Sequence, residues 1–141
     1  MATFVKFEDF VRAVGEKEHD LADDTFKVFL TNATPVAATH TKKGSGGGAE
    51  LDGITEEHGY TPEDIQNGYT ATDGVGTMTA VDVIFTASGG TVGPFRYAVI
   101  YNDTHTSDGL MGYVDYGSSI TLQAGESFTV DFNEVSLATF E

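Results

Sequence analysis

The stretch RYAVIYNDTHTSDGLMGYVDYG, residues 96–117, has two apolar runs on either side of a polar linker. In the first run, from Phe95 to Tyr101, apolar side chains occupy both alternating faces. This pattern indicates a central strand that is buried on both sides. The linker ends in Asp108-Gly109, a residue pair that favours a tight turn. The stretch therefore predicts two antiparallel strands joined as a hairpin.

The polar linker also carries His105 between Asp103 and Asp108, which raises the question of a metal site. Such a site needs a further ligand and a rigid frame around the ligands. A hairpin tip made of Thr, Ser and Gly supplies neither. We therefore interpret the linker as a turn, and whether loop acids bind a cation is left open.

Alternation of apolar and polar side chains recurs at residues 26–30, 81–85 and 128–132. The pattern at 81–85 predicts a strand over 77–88 with Val81, Val83 and Phe85 on one face. Several strands separated by short turns predict a mainly β protein, folded as an antiparallel β-sandwich or barrel. Residues 1–141 form one domain in this interpretation, with 77–141 as its strand-rich half.

The N-terminal segment predicts one amphipathic helix over residues 4–17. Its apolar side chains recur at helical spacing and the charged ones fall off that stripe. A helix of this kind must lie on an apolar surface. The stripe consists of Phe4, Phe7, Phe10, Val11 and Val14.

Residues 39–49 predict a flexible glycine-rich loop. Within it, KKGSGGG is not a phosphate-binding loop, because that motif places Lys after the last glycine and between a strand and a helix. Further along, TPED at 61–64 is typical of a helix start, with a Thr cap, a Pro and acids in the first turn. We expect at most a short helical turn there.

The strong net negative charge of the chain limits the kinds of partner that it can bind. Seven Lys and Arg face 22 Asp and Glu, a formal charge of −15 on 141 residues. This excess predicts no nucleic-acid partner and no binding to an anionic membrane surface, because both depend on basic residues. No apolar run approaches the roughly 20 residues of a membrane span. The acidity favours solubility or a basic protein surface as partner.

The residues give little sign of catalysis, and we predict a protein that is not an enzyme and holds no cofactor or metal. The chain has no cysteine, which excludes disulfides and thiol chemistry. The histidines at 19, 40, 58 and 105 lie at no spacing typical of metal ligands, and no Gly-x-Ser-x-Gly motif occurs. A glycan hydrolase would depend on carboxylate pairs alone, which so acidic a chain contains everywhere.

The segment FEDFVRAVGEKEHDLADDTFKVFLTNATPV, residues 7–36, resembles the start of a family of small virion structural proteins of tailed bacteriophages. The second half is similar in the order of its segments ITEEHGYT, AVDVIFTAS, RYAVIYND, LMGYVDYG and ITLQAGESFTVDFNEVSLATF. The resemblance thus spans most of the chain. In the first quarter its matching residues are His19, Leu21, Asp24, Thr25, Val28, Leu30, Thr31, Asn32 and Pro35.

The resemblance implies a head decoration (cement) protein that binds the major capsid protein on the outer surface of the virion after synthesis in the host cytoplasm. It also implies a homo-oligomer, for example a trimer. The alternative is a structural or host-binding module of the tail or tail fibre. Loops and termini are the expected contacts, since sheets use their apolar faces for the core. We therefore predict contacts at Ala2, Thr3, Phe4, Val5 and Lys6, and at Lys42 and Lys43.

Overall fold

A computed structural model describes the backbone of residues 3–132 and 138–140. In chain order the elements are β1 (Thr3–Lys6), α1 (Asp9–Gly15), β2 (Phe26–Thr31), β3 (Lys42–Lys43), β4 (Glu50–Leu51), β5 (Glu63–Asp64), β6 (Gly68–Thr72), β7 (Val75–Thr79), β8 (Val83–Thr86), β9 (Val92–Asn102), β10 (Leu110–Leu122), β11 (Ser127–Val130) and β12 (Ala138–Phe140).

The main sheet has five strands in the order β1-β10-β9-β2-β5, and its pairs are antiparallel. The predicted hairpin of residues 96–117 is confirmed as β9 and β10. Val99 of β9 lies opposite Phe29 of β2 on one side and Tyr113 of β10 on the other. Strand β9 therefore has a neighbour along each edge, which makes it the centre of the sheet.

Both faces of the main sheet are buried, as the apolar run in β9 predicts. One face carries Leu30, Ala98 and Ile100, which belong to the larger core cluster. The opposite face carries Phe29 and Val99, which pack in a second cluster. Helix α1 adds to the larger cluster, and residues from outside the sheet complete the second; these are Phe7 and Leu51.

The remaining strands form three small sheets. They are the antiparallel pair β11-β8, the antiparallel triplet β12-β7-β6 and the parallel pair β3-β4. Each sheet in the described part of the chain is open, so the barrel alternative was wrong. The prediction of a mainly β protein with antiparallel sheets and one helix is confirmed.

The N-terminal helix is shorter than the predicted 4–17. Residues 3–6 form β1, because the Thr-Phe-Val sequence suits a pleated strand and finds a pairing edge on β10. The helix ends at Gly15, a poor helix former, and Lys17 adopts a positive φ of 67°. Val11 was expected on the apolar stripe but is 59% exposed.

Two other predicted elements also differ. The strand expected over 77–88 is split into β7 and β8, which belong to different sheets. Between them Asp82 accepts a hydrogen bond from the Phe132 N–H, O···N 2.7 Å, and Val81 is exposed. No helical turn forms at 61–64; Glu63 and Asp64 instead form β5, because their backbone pairs with β2.

Phe7 and Phe10 lie in different core clusters and expose 0% and 1% of their surface. We predict that Phe7→Ala and Phe10→Ala each lower the free energy of unfolding by about 3–5 kcal/mol, because each leaves a cavity. Urea denaturation with an unchanged m-value measures the loss. Val11→Ala, on the exposed side of α1, is the control and should change it by less than about 0.5 kcal/mol. A loss below about 1 kcal/mol at either phenylalanine contradicts the assignment.

Candidate partner interface

The predicted contact residues fall on two strands. Thr3, Phe4, Val5 and Lys6 form β1, the edge strand of the main sheet. Lys42 and Lys43 form β3, which pairs with β4. Ala2 lies outside the described residues. The two strands are far apart in the sequence, since α1 and β2 lie between them.

The structure brings these two segments together along one edge of β10. The Leu110 N–H donates to the Thr41 carbonyl, N···O 3.0 Å, and Lys42 forms a β-bridge with Gly109. A few residues further on, Lys6 lies opposite Gly112. The other edge of β10 is occupied by β9. The segment 41–43 and β1 therefore lie one after the other along the edge of β10 that faces away from β9.

Gly112 is the residue of β10 that allows β1 to approach. A Cβ atom at this position would overlap the Phe4 ring and lie 2.8 Å from the Val5 carbonyl oxygen. Phe4 is thereby able to pack on the larger core cluster. Lys6 remains exposed and forms no ion pair with a described residue. Strand β1 thus contributes one free cation at the sheet edge.

Lys42 is engaged by Glu50, whose Oε1 lies 3.3 Å from the lysine Nζ. The same carboxylate accepts a hydrogen bond from the Gly46 N–H. Since this bond and the lysine both favour the charged form, they hold the pKa of Glu50 below its usual range. The glycine tract therefore wraps around a carboxylate, and Cβ atoms at Gly44 or Gly46 would crowd it.

Lys43 is engaged by aromatic rings. Its Nζ lies 5.4 Å from the centre of the Phe29 ring and 5.6 Å from that of Tyr101. Cations over ring faces are attracted by the ring quadrupole. Burial of the Tyr101 hydroxyl raises its pKa well above the ordinary value. Lys43 thus covers the second core cluster, and its ammonium already has partners within the chain.

The two edges of the main sheet differ in charge. At the far edge, β5 consists of Glu63 and Asp64, and both side chains are exposed. Short, charged edge strands resist pairing with another chain. At the opposite edge, β1 has no acidic residue and carries Lys6. Of these two edges, β1 is the better suited to receive a partner strand.

Most basic side chains are neutralised within the chain. Arg12 binds Asp9, Glu16 and Glu18, and further ion pairs join Lys27 to Asp103, Lys42 to Glu50 and Arg96 to Asp115. These contacts hold the pKa of Asp9, Glu18 and Asp115 below the ordinary values, chiefly through hydrogen bonds to the arginines. Lys6 and Lys17 make no ion pair with a described residue.

Lys17 borders a surface pocket of about 410 Å³ at the end of α1. Tyr69 forms another wall of this pocket and is 36% exposed. The other tyrosines are less accessible: Tyr60, Tyr97 and Tyr101 are buried, and Tyr113 and Tyr116 are half-buried. An accessible tyrosine ring therefore lies beside a cation only at this pocket among the described residues.

The loop between β9 and β10 turns the chain as expected, and several of its polar side chains contact neighbouring residues. His105 Nδ1 lies 2.8 Å from Ser107 Oγ, and Asp103 Oδ2 lies 3.1 Å from Lys27 Nζ. Burial raises the pKa of Asp108. Within residues 3–132 and 138–140 no group of three His, Asp or Glu side chains is arranged to hold a metal ion. No helix in the same residues is long and apolar enough to cross a membrane.

Sequence reasoning missed a buried polar cluster beside this loop. His19 and Asn102 expose 6% and 0% of their surface, and His19 Nδ1 lies 3.0 Å from Asn102 Nδ2. They come from the α1–β2 connection and from the end of β9. The residues are 83 positions apart, and no local pattern in the sequence marks such a pair.

Comparisons with family models, with characterised proteins and with solved structures find no match to this chain.

The close contact of Gly112 with Phe4 and Val5 predicts that a larger residue at this position destabilises β1. Gly112→Ala should lower the free energy of unfolding by about 1–3 kcal/mol, because the added methyl group displaces Phe4 and the Val5 carbonyl. Amide hydrogen exchange of residues 4–6 should accelerate more than that of β9. Gly15→Ala is the control: a Cβ there meets no atom within 4 Å. Unchanged exchange at residues 4–6 would show that β1 does not depend on this contact.

Proposed function

We propose that this chain is a non-enzymatic component of a bacteriophage virion that binds the major capsid protein on the outside of the head and stabilises it. The observation that carries the proposal is the joint placement of β1 and the segment 41–43 along one edge of β10. Both segments were selected from the sequence alone. The resemblance to tailed-phage virion proteins supplies the identity of the partner.

A sheet edge suits this role because its backbone can recruit a partner strand. Strand β1 pairs with β10 only, among the strands that the structure describes. Its alternate N–H and C=O groups on the other side are available for a strand of the capsid protein, as in β-strand addition. Each copy then adds a modest contact, and many copies together stabilise the shell.

The charge of −15 supports a basic protein surface as the partner. At the edge itself, Lys6 is a free cation in an acidic molecule, so it orients the contact towards an acidic group of the partner. Charge repulsion also keeps unbound copies apart in solution. We further propose a two-layer sandwich arrangement of the sheets and assembly as a homo-oligomer, for example a trimer, around a symmetry axis of the capsid lattice.

The second candidate is a host-binding module of the tail or tail fibre. It is favoured by one observation, the pocket in which Tyr69 and Lys17 are both accessible. Carbohydrate- and ligand-binding surfaces use such exposed rings with a polar neighbour. This function would place the contact at the end of α1 and away from β1.

Binding to heads separates these candidates. Purified protein is mixed with mature heads that lack it, and we measure the bound amount and the temperature of DNA release. We expect saturable binding and a higher release temperature. Lys6→Glu should raise the dissociation constant about tenfold, because it reverses the only charge on β1. Lys17→Glu is the matched control, since it makes the same charge change at another unpaired lysine.

The control variant should bind heads within about twofold of the unmodified protein. Absence of binding to heads, together with labelling of tails in the intact virion, would contradict the proposal. Equal losses in the two variants would contradict the assignment of the contact to β1, and a loss with Lys17→Glu alone would favour the pocket as the contact.

A further inference from the structure

The buried cluster at the end of β9 centres on the side-chain amide of Asn102. Its Nδ2 lies 2.7 Å from Asp24 Oδ2, 3.2 Å from the Glu18 carbonyl oxygen and 3.0 Å from His19 Nδ1. Its Oδ1 accepts hydrogen bonds from the Thr104 N–H at 2.9 Å and the His105 N–H at 3.2 Å. The amide therefore joins the α1–β2 connection to the loop 103–109.

These contacts fix the orientation of the amide. A backbone N–H only donates, and a carbonyl or carboxylate oxygen only accepts. The amide must therefore present Oδ1 to the loop and its NH2 group to Glu18, Asp24 and His19. A rotation by 180° would lose the two hydrogen bonds to the loop and place an oxygen against the Asp24 carboxylate. Because Asn102 is fully buried, water could not replace the hydrogen bonds lost by this rotation.

The fixed amide determines the protonation state of His19. Its Nδ1 faces an NH2 group, which only donates, so this nitrogen acts as an acceptor and carries no proton; the two amide hydrogens are shared among His19, Asp24 and the Glu18 carbonyl. The ring is then neutral with the proton on Nε2. This nitrogen is buried without a partner among the described residues and points towards Gly109, where a Cβ atom would lie 3.4 Å away. The rings of Phe10 and Phe26 lie 5.3 and 5.5 Å from the imidazole.

The groups around His19 have opposing effects on its pKa. Burial is the largest effect and lowers the pKa of His19, and His105 in the loop also lowers it. Glu18, Asp24 and Asp9 oppose this effect. Arg12 binds Glu18 and Asp9, which reduces what these carboxylates can offer to an imidazolium. Protonation places a second N–H against the Asn102 NH2 group, which only donates hydrogen bonds.

We propose that His19 and Asn102 form a pH-sensitive latch: neutral His19 holds the loop 103–109 against the α1–β2 connection, and its protonation loosens the loop. The Thr25 carbonyl accepts a hydrogen bond from the Asp103 N–H, and the Thr25 N–H donates one to the Thr104 hydroxyl. The start of the loop therefore stays attached while the rest of the loop moves. The end of the loop, next to β10, carries the Asp108 carbonyl, which accepts a hydrogen bond from the Lys43 N–H, and Gly109, which forms a β-bridge with Lys42. Loosening of the loop at low pH therefore also weakens its contacts with the segment 41–43. The latch rests on these hydrogen bonds and not on the proposed binding to heads.

The direction of the pH dependence follows from the lowered pKa. The unfolded or loosened state binds the proton with the ordinary histidine pKa of about 6.5. The latch is therefore complete above that pH and weakens as the pH falls towards the pKa of the closed state. Asp9 and Glu18 remain ionised through this window, since their pKa values are held below the usual range.

Nuclear magnetic resonance tests the latch on the intact protein. At pH 7.5, long-range 1H–15N spectra should show His19 with the proton on Nε2. Between pH 7.5 and 5.5, protection of the Thr104 and His105 amides against exchange, corrected for the intrinsic rate, should fall by up to about tenfold, because pH 5.5 lies about one unit below the ordinary histidine pKa of the loosened state. His19→Gln should abolish this pH dependence, because glutamine does not titrate. His105→Gln is the control and should retain it.

Two results would overturn the latch without any variant: a proton on His19 Nδ1 at pH 7.5, or protection of the loop amides that is constant down to pH 5.5. A fall that persists in His19→Gln, or that disappears only in His105→Gln, would assign the response to another group and also overturn it. A fall confined to proteins that contain His19 supports it.

Discussion

The structure depends on burying both faces of β9 while pairing both of its edges. Strands β2 and β10 satisfy its backbone, which an apolar environment requires. Phe29 and Val99 then need cover on one face, and Leu30 and Ile100 need it on the other. Helix α1, Phe7 and the segment around Leu51 supply that cover, so the chain before and after β2 must fold back over the sheet.

Much of this arrangement follows from local sequence. The apolar run from Phe95 to Tyr101 and the pair Asp108-Gly109 predict the hairpin, because side-chain alternation and turn chemistry are properties of neighbouring residues. The extent of the helix does not follow. Residues 4–6 fit a helical stripe and a strand equally well, and the edge of β10 decides between them. The break at Asp82 likewise depends on a distant partner, Phe132.

The candidate interface was predictable only in part. The N-terminal residues and Lys42 and Lys43 could be singled out as terminus and loop, but their meeting along β10 depends on the pairing of Lys6 with Gly112 and of Lys42 with Gly109. The side-chain partners of the lysines, and the contact of His19 with Asn102, are long-range. A single sequence contains no signal for such contacts, because periodicity reports the face of an element and not its neighbour.

The central claim, the proposed position of the chain on the outside of a phage head, is tested most directly by imaging. A cryo-electron microscopy map of intact virions, at a resolution that traces strands, should show the main sheet on the outside of the head, with β1 and the segment 41–43 against the major capsid protein. The account is contradicted if the chain lies in the tail, or if it lies on the head with β1 facing solvent and the end of α1 against the capsid.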